Sequence, residues 1–356
     1  MRINLSILGV AKMAWGVGDR LQGGKYTIEK ELGRGRFGIT YLVKNQNGDR
    51  FVIKTLNDDL LNSLSQLERE RLKTMFLREA LKLQKCKHKY IVEVVDSFEE
   101  ADCLCLVMEY VNEVSLADLR PPILSEPDAL RYIQQIGEAL IVVHENELIH
   151  RDVHPGNILL RKREGQLEAV LIDFGLALDF DHILTTSRTK ETSDGFTPPE
   201  LYARGTITRA YSDIYSLAAT LYKLLTGRTP VDAIKRKVDG EHLVSPKEFN
   251  EQISRHVNEA ILTAMQLDPK QRPQSMRQWL DSLGLTVENS QPSVIVSSNT
   301  NSNWERNIQF WGIVIAAIAA IGTLLSGIVG WIPFIKTSPS SSPALVSPSP
   351  SSSKTP

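Results

Sequence analysis

Residues 150–157, HRDVHPGN, place Asp152 two residues after His150 and five before Asn157, with His154 and Pro155 inside the same short segment. A carboxylate in such a position can accept a proton, and an amide oxygen can ligate a hard cation. A second carboxylate, Asp173, follows the apolar run AVLI and precedes Phe174 and Gly175, so a buried strand delivers it to a glycine turn. Asp173 and Asn157 are oxygen ligands suited to Mg²⁺, which keeps waters and bridges phosphates instead of demanding an all-protein cage. A proton acceptor beside such a site is equipment for phosphoryl transfer.

Upstream, Gly33, Arg34, Gly35, Arg36, Phe37 and Gly38 spell GRGRFG, and Ile39, Thr40 and Tyr41 continue as a strand. A Rossmann turn has the same glycine spacing but leads into a helix. Glycines here let backbone amides approach triphosphate oxygens without a Cβ clash, although a flexible hairpin reads the same six residues equally well. Lys54, in the strand FVIK, has apolar neighbours, and an ammonium buried there without a partner is costly. Glu79 lies in the helical run KTMFLREALKLQK, with Phe76, Ala80 and Leu83 on the apolar face beside it. A Lys54–Glu79 ion pair would hold the lysine against the α- and β-phosphates. Taken alone, Glu79 also reads as one more solvated charge between Arg78 and Lys82.

These residues need a scaffold, and 356 residues are enough for a two-lobed enzyme with a full core. The net charge of −1 argues against a nucleic-acid binder driven by bulk positive charge. Cys86, Cys103 and Cys105 have no paired spacing, which offers neither a disulfide framework nor a zinc site. Residues 1–25 read as a leader, with Met1 or Met13 as the start. The stretch 26–54 alternates apolar and polar residues around glycine turns, which predicts a hairpin and a third strand. Ser125–Asp128 (SEPD) then starts a helix carrying Leu130, Ile133, Gly137, Leu140 and Val143. The helix YSDIYSLAATLYKLLTG is expected to be capped by Ser212 and ended by Gly227. Strands first and helices second predict an α+β fold with a small β-rich lobe on a larger α-rich one.

The far end is of another kind. The run FWGIVIAAIAAIGTLLSGIVGWI, with Trp311 and Trp331 near its ends, holds no charge and is long enough to span a bilayer. It defines a transmembrane helix over 308–335, preceded by a polar linker over 284–307 and followed by a Ser/Pro-rich tail over 336–356 expected to be disordered.

With HRD-x₄-N, DFG, the Gly-rich loop and the strand lysine in this order, residues 26–283 resemble a eukaryotic-type (Hanks-type) Ser/Thr protein kinase domain of the bacterial membrane-anchored group. The resemblance implies an N-lobe over about 26–110 and a C-lobe over about 111–283. It makes Met108 a gatekeeper, gives the backbones of Glu109 and Val111 to adenine, and pairs Lys54 with Glu79, nine residues before His88. It implies Asp152 as the acceptor of the hydroxyl proton, Asn157 and Asp173 as metal ligands, and ATP with Mg²⁺ or Mn²⁺ as cofactors. Departures are Thr40 where a valine is usual, Val52 where an alanine is usual, and Glu113-Val114 where two glycines are common.

The segment H-x-D-x-H-P-G-N also occurs in small-molecule phosphotransferases, and His154 stands where Ser/Thr kinases carry a lysine. TSDGFTPPE favours a protein substrate: Ser193 would sit beside the acceptor hydroxyl, and Pro199 and Glu200 belong to a peptide platform in which Glu200 pairs with Arg272. The same resemblance has Asp213 hold the catalytic-loop backbone. A pseudokinase acting as a membrane-bound interaction module is the reading from another class. Further expectations are a donor role for His154 toward the γ-phosphate, and activation by phosphate on Thr185, Thr186, Ser187, Thr189 or Thr192. Gly322, Ser326 and Gly330 could pair two spans as a homodimer at the cell membrane, with the kinase domain cytoplasmic and the tail outside.

Overall fold

The computed structural model describes residues 15–111, 114–174, 195–202 and 206–285. Six strands form one antiparallel sheet in the order β1-β2-β3-β4-β6-β5. They are β1 (Arg20–Leu21), β2 (Tyr26–Arg34), β3 (Gly38–Asn45), β4 (Arg50–Leu56), β5 (Val94–Glu100) and β6 (Cys103–Glu109). Alternation decides which face each residue serves. Ile39, Tyr41 and Val43 of β3 point into a core with Tyr26, Ile28, Ile53 and Val107, which leaves Thr40 on the opposite face. That register sets Thr40 opposite Lys54, and Lys54 opposite Leu106.

The lobe begins earlier than residue 26. Trp15 packs at a tilt against Tyr41, with 5.7 Å between ring centroids, Leu21 is buried, and β1 pairs with the start of β2. Residues 15–25, within the stretch expected as a leader, thus pack against the sheet, and Arg20–Leu21 add an edge strand to it. A bulky aromatic and a leucine close together can bury their surface against an exposed β-face, whereas a composition reading registers only their number.

Helix α1 (Asp58–Ser63) is capped by Asn57, whose side-chain oxygen accepts from the Asp59 amide. Helix α2 (Gln66–Lys85) starts with a full capping box between Ser65 and Glu68. It extends well upstream of the run expected from Lys73. Helix α3 (Glu126–Glu145) is capped by Ser125, with Pro127 in its first turn. A hairpin of β7 (Ile158–Arg163) and β8 (Gln166–Leu171) follows the catalytic segment. Helix α4 (Ala210–Thr226) is buried nearly throughout and ends at Gly227 in the left-handed region, φ 70°. Its start differs from expectation: Arg209 is the N-cap, and Ser212 lies inside the helix, fully buried. Helices α5 (Arg255–Ala264) and α6 (Met276–Ser282) close the domain, with buried Trp279 donating to the carbonyl of Ala260 at 3.1 Å.

Among the described residues no helix is long and apolar enough to cross a membrane. The expected span, the tail, the linker beyond residue 285, residues 1–14, Glu113, Ser193 and the five candidate phosphosites all lie outside the described residues.

Candidate active site

Buried Asp213 organises the catalytic segment. Its carboxylate accepts from the backbone amides of His150 at 2.9 Å and Arg151 at 2.8 Å, and from His144 Nε2 at 2.8 Å. Burial pushes its carboxyl up, but the His144 contact and the amides outweigh that, and the net shift is downward. Three donors on one carboxylate would be wasted on a surface helix, so Asp213 fixes this loop and does more than favour the α4 dipole.

Within the loop, Asn157 Nδ2 donates to Asp152 Oδ2 at 3.0 Å and to the Asp152 carbonyl at 2.8 Å. The amide therefore sets the rotamer of Asp152 and leaves its own oxygen for another partner. Buried His150 accepts the Asp152 amide on Nδ1 at 3.3 Å, so its Nε2 carries the proton given to the Ile172 carbonyl at 3.0 Å. Burial holds His150 below the usual imidazole range, in the neutral form this pattern needs. His154 is arranged the same way: Nδ1 accepts the Gly156 amide at 3.1 Å, and Nε2 lies 3.8 Å from Asp152 Oδ2. Burial again lowers its value, which leaves a neutral ring whose proton faces Asp152.

The expected Lys54–Glu79 pair is not formed. Lys54 Nζ instead meets Asp173 Oδ1 at 3.1 Å and the Phe174 carbonyl at 3.0 Å. Glu79 meets Arg151 at 3.0 Å. Each buried charge has an opposite neighbour, as the cost of isolation requires, but the partners are exchanged. The Lys54 ammonium beside Asp173 holds that carboxyl below the usual carboxylate range.

A cavity of about 210 Å³ opens between the sheet and β7, lined by Gly33, Thr40, Met108, Glu109, Val111 and Asp173 among the expected residues. Leu32, Val52, Val92, Tyr110, Leu159 and Ile172 complete it; apart from Val52, a departure from the family pattern that bears on pocket shape, the sequence marks none of these, since apolar lining looks like core. Ile39 and Tyr41, expected beside nucleotide, are corrected: strand alternation turns both side chains into the sheet core. Arg34 is also engaged elsewhere, with Glu31 at 2.8 Å and Asp58 at 3.0 Å.

Asn57 was missed. Its Nδ2 donates to the Gly35 carbonyl at 2.7 Å and its backbone amide to the Phe37 carbonyl at 2.9 Å, so the corner before α1 grips the tip of the Gly-rich loop. Of the three glycines only Gly38 is sterically demanded by the protein, because a Cβ there would meet the Thr55 carbonyl at 3.0 Å. Gly33 has open space around it, so any demand for glycine there comes from a ligand.

Below the cleft, Glu200 and Arg272, 72 residues apart, form a buried two-pronged pair at 2.7 and 2.9 Å. Ser212 adds a bond to Glu200 at 2.8 Å, which explains why a hydroxyl sits inside a buried helix. Thr206 donates to the Glu200 carbonyl.

The protein kinase domain family matches residues 26–282. This chain belongs to that family. It is 31% identical over 274 residues to the serine/threonine-protein kinase pkn2 of Myxococcus xanthus, covering 73% of this chain and 32% of that protein. To the serine/threonine-protein kinase PrkC of Bacillus subtilis it is 33% identical over 266 residues, covering 72% and 39%. The chain thus spans about a third of the length of these relatives. Among solved structures, the Mycobacterium tuberculosis PknI kinase domain matches with a TM-score of 0.57 and 26% identity, over 76% of this chain and 99% of that one. Membership fixes the two-lobed fold.

Proposed function

We propose that this chain is an ATP-dependent Ser/Thr protein kinase, anchored in the cell membrane by the span over 308–335, that phosphorylates protein substrates and its own activation segment. One observation carries the choice of a protein acceptor: the buried Glu200–Arg272 pair, which braces the segment where a peptide would lie. Relatives named as serine/threonine-protein kinases support the same reading.

In this mechanism Lys54 and the amides of the Gly-rich loop bind the phosphates, while the apolar cavity under Met108 takes the adenine. Asp152, held by Asn157, accepts the hydroxyl proton as the γ-phosphoryl transfers in line. His154 Nε2–H, aimed toward Asp152, donates to the transferring group and answers for the missing lysine. The Asn157 amide oxygen and the Asp173 carboxylate fit a hard cation, since Asn157 uses only its nitrogen toward Asp152. Mg²⁺ bound there supplies neutralisation of phosphate charge. The pairs Lys54–Asp173 and Glu79–Arg151 describe a resting arrangement. A phosphate on the 185–192 segment would compete for Arg151 and free Glu79 for Lys54.

Purified full-length protein in neutral detergent, incubated with radiolabelled Mg-ATP and a panel of protein acceptors, should yield phosphoserine and phosphothreonine, and Asp152→Asn should abolish both. Nucleotide binding without transfer would make the chain an interaction module; transfer only to sugars or aminocyclitols would make it a small-molecule enzyme.

A further inference from the structure

A second concavity, of about 600 Å³, lies on the other side of Glu109 from the nucleotide cavity, between the α2–β5 connection and β7. Its floor is rigidly assembled. Arg161 forks onto Glu109 at 2.9 and 3.2 Å and reaches the Lys89 carbonyl at 2.6 Å. Glu109 and Glu93 exchange bonds at 2.9 and 3.1 Å. The loop before β5 is sewn to β8 through Tyr90, Val92 and Leu171. Leu83, Cys86, Ile91 and Val94 give this floor apolar patches.

The rim is predominantly basic. Lys87, Lys162 and Arg163 are exposed and have no carboxylate partner among the described residues. Lys89 joins them, lying over the Tyr90 ring at 4.5 Å. Against these stand Glu109, already consumed by Arg161, and Glu93, while Glu138 and Glu168 act on Lys89 and partly offset its charge, which leaves Lys87, Lys162 and Arg163 as the principal cations of the rim. Arg161 Nε, shielded from water, also lacks a hydrogen-bond partner among the described residues. Surface cations ordinarily alternate with anions; several unpaired ones around one hollow repel each other and raise the local concentration of anionic partners.

We propose that this groove docks an acidic segment of a protein partner. Its volume lies in the range of ligand sites, well beyond a single phosphate, and its apolar floor suits a chain that alternates acidic and aliphatic side chains. Nucleic acid fits less well. Three unpaired cations fall short of the roughly 6–10 phosphate contacts that typical binding uses, and the Tyr90 ring, buried and covered by Lys89, offers no stacking face. The two cavities share only Glu109 in their linings, so a docked segment leaves the nucleotide cleft open, and both can be filled together.

The test uses the full-length protein in neutral detergent and a fluorescein-labelled twelve-residue peptide of Glu and Asp interspersed with Leu, followed by anisotropy. Saturable binding is expected, weakened at least tenfold in the triple variant Lys87→Glu, Lys162→Glu, Arg163→Glu. Affinity for a fluorescent ADP analogue should stay within twofold, which shows that the variant is folded and the cleft intact. A matched peptide with Lys for the acids should not bind. No saturable binding, equal affinity in the variant, or full competition by millimolar inorganic phosphate would each overturn the proposal. So would tighter binding of a single-stranded oligonucleotide or of phosphatidylserine vesicles that is lost in the same variant.

Discussion

Arg272 and Lys54 are both cations that cross the fold to meet a carboxylate, yet their settings are opposite. The Arg272–Glu200 pair has side-chain exposures of 0% and 5%, is two-pronged, and is reinforced by Ser212. Lys54 meets Asp173 through one oxygen, with exposures of 15% and 40%, while Glu79 is engaged by Arg151. The pair within the lower lobe is thus dry and doubly bonded, whereas the pair at the cleft is singly bonded and partly open to solvent. A platform must not move, since its position defines where the acceptor lies. A switch needs two pairings of similar energy, and solvent access keeps the difference small.

The sharpest way to break this contrast is at the proton acceptor. Asp152→Asn should lower kcat by on the order of 10²–10⁴-fold while unfolding free energy changes by less than about 1 kcal/mol, because only a general base is lost. A stability loss as large as the activity loss would make Asp152 part of the frame instead. Arg272→Ala probes the frame itself: it leaves Glu200 buried and unpaired, and urea denaturation should register a loss of about 3–5 kcal/mol. A cost near that of an exposed pair, below about 1 kcal/mol, would erase the distinction between the lobes.

The histidines give a gentler test. His150 and His154 are held below the usual range by burial, so as pH falls through about 6.5 the unfolded chain takes up protons that the folded chain refuses. Stability should therefore decline by about 1–2 kcal/mol between pH 7 and 5.5. Below about pH 4, Asp213, whose folded value is depressed, adds to the loss. Midpoints of urea unfolding across that range should fall with pH; a flat or rising profile would contradict the neutral rings.

The smallest effect is expected at Asn57. Asn57→Asp keeps the oxygen that caps α1 but removes the donor to the Gly35 carbonyl. KM for ATP should rise by about threefold to tenfold, the worth of one hydrogen bond, with kcat within twofold. Equal changes in both would assign Asn57 to general stability.

Much of the site was legible because its residues are chemically conspicuous. Asp152, Asn157 and Asp173 stand in short motifs, and the alternation of β3 and β4 already implies that Thr40 and Lys54 share a face. Asn57 was illegible because an asparagine before a short helix reads as a cap, which it also is. Ile39 and Tyr41 adjoin the Gly-rich loop in sequence, but the two-residue period of the strand turns their side chains into the core.

The amino-acid sequence by itself determined which groups are present, which strand faces they occupy, and that a lysine beside apolar neighbours requires an anion. Tertiary structure alone decided which anion. Glu79 and Asp173 satisfy the same local requirement, and the choice depends on how α2 and the turn after β8 approach β4, a matter of a few ångströms that no local pattern encodes. The same holds for Glu200 and Arg272, 72 residues apart, and for the basic groove, whose cations come from two segments joined only by packing. Periodicity fixes direction from the backbone, but a charge interaction depends on distance and solvent access, and both exist only once the lobes are assembled.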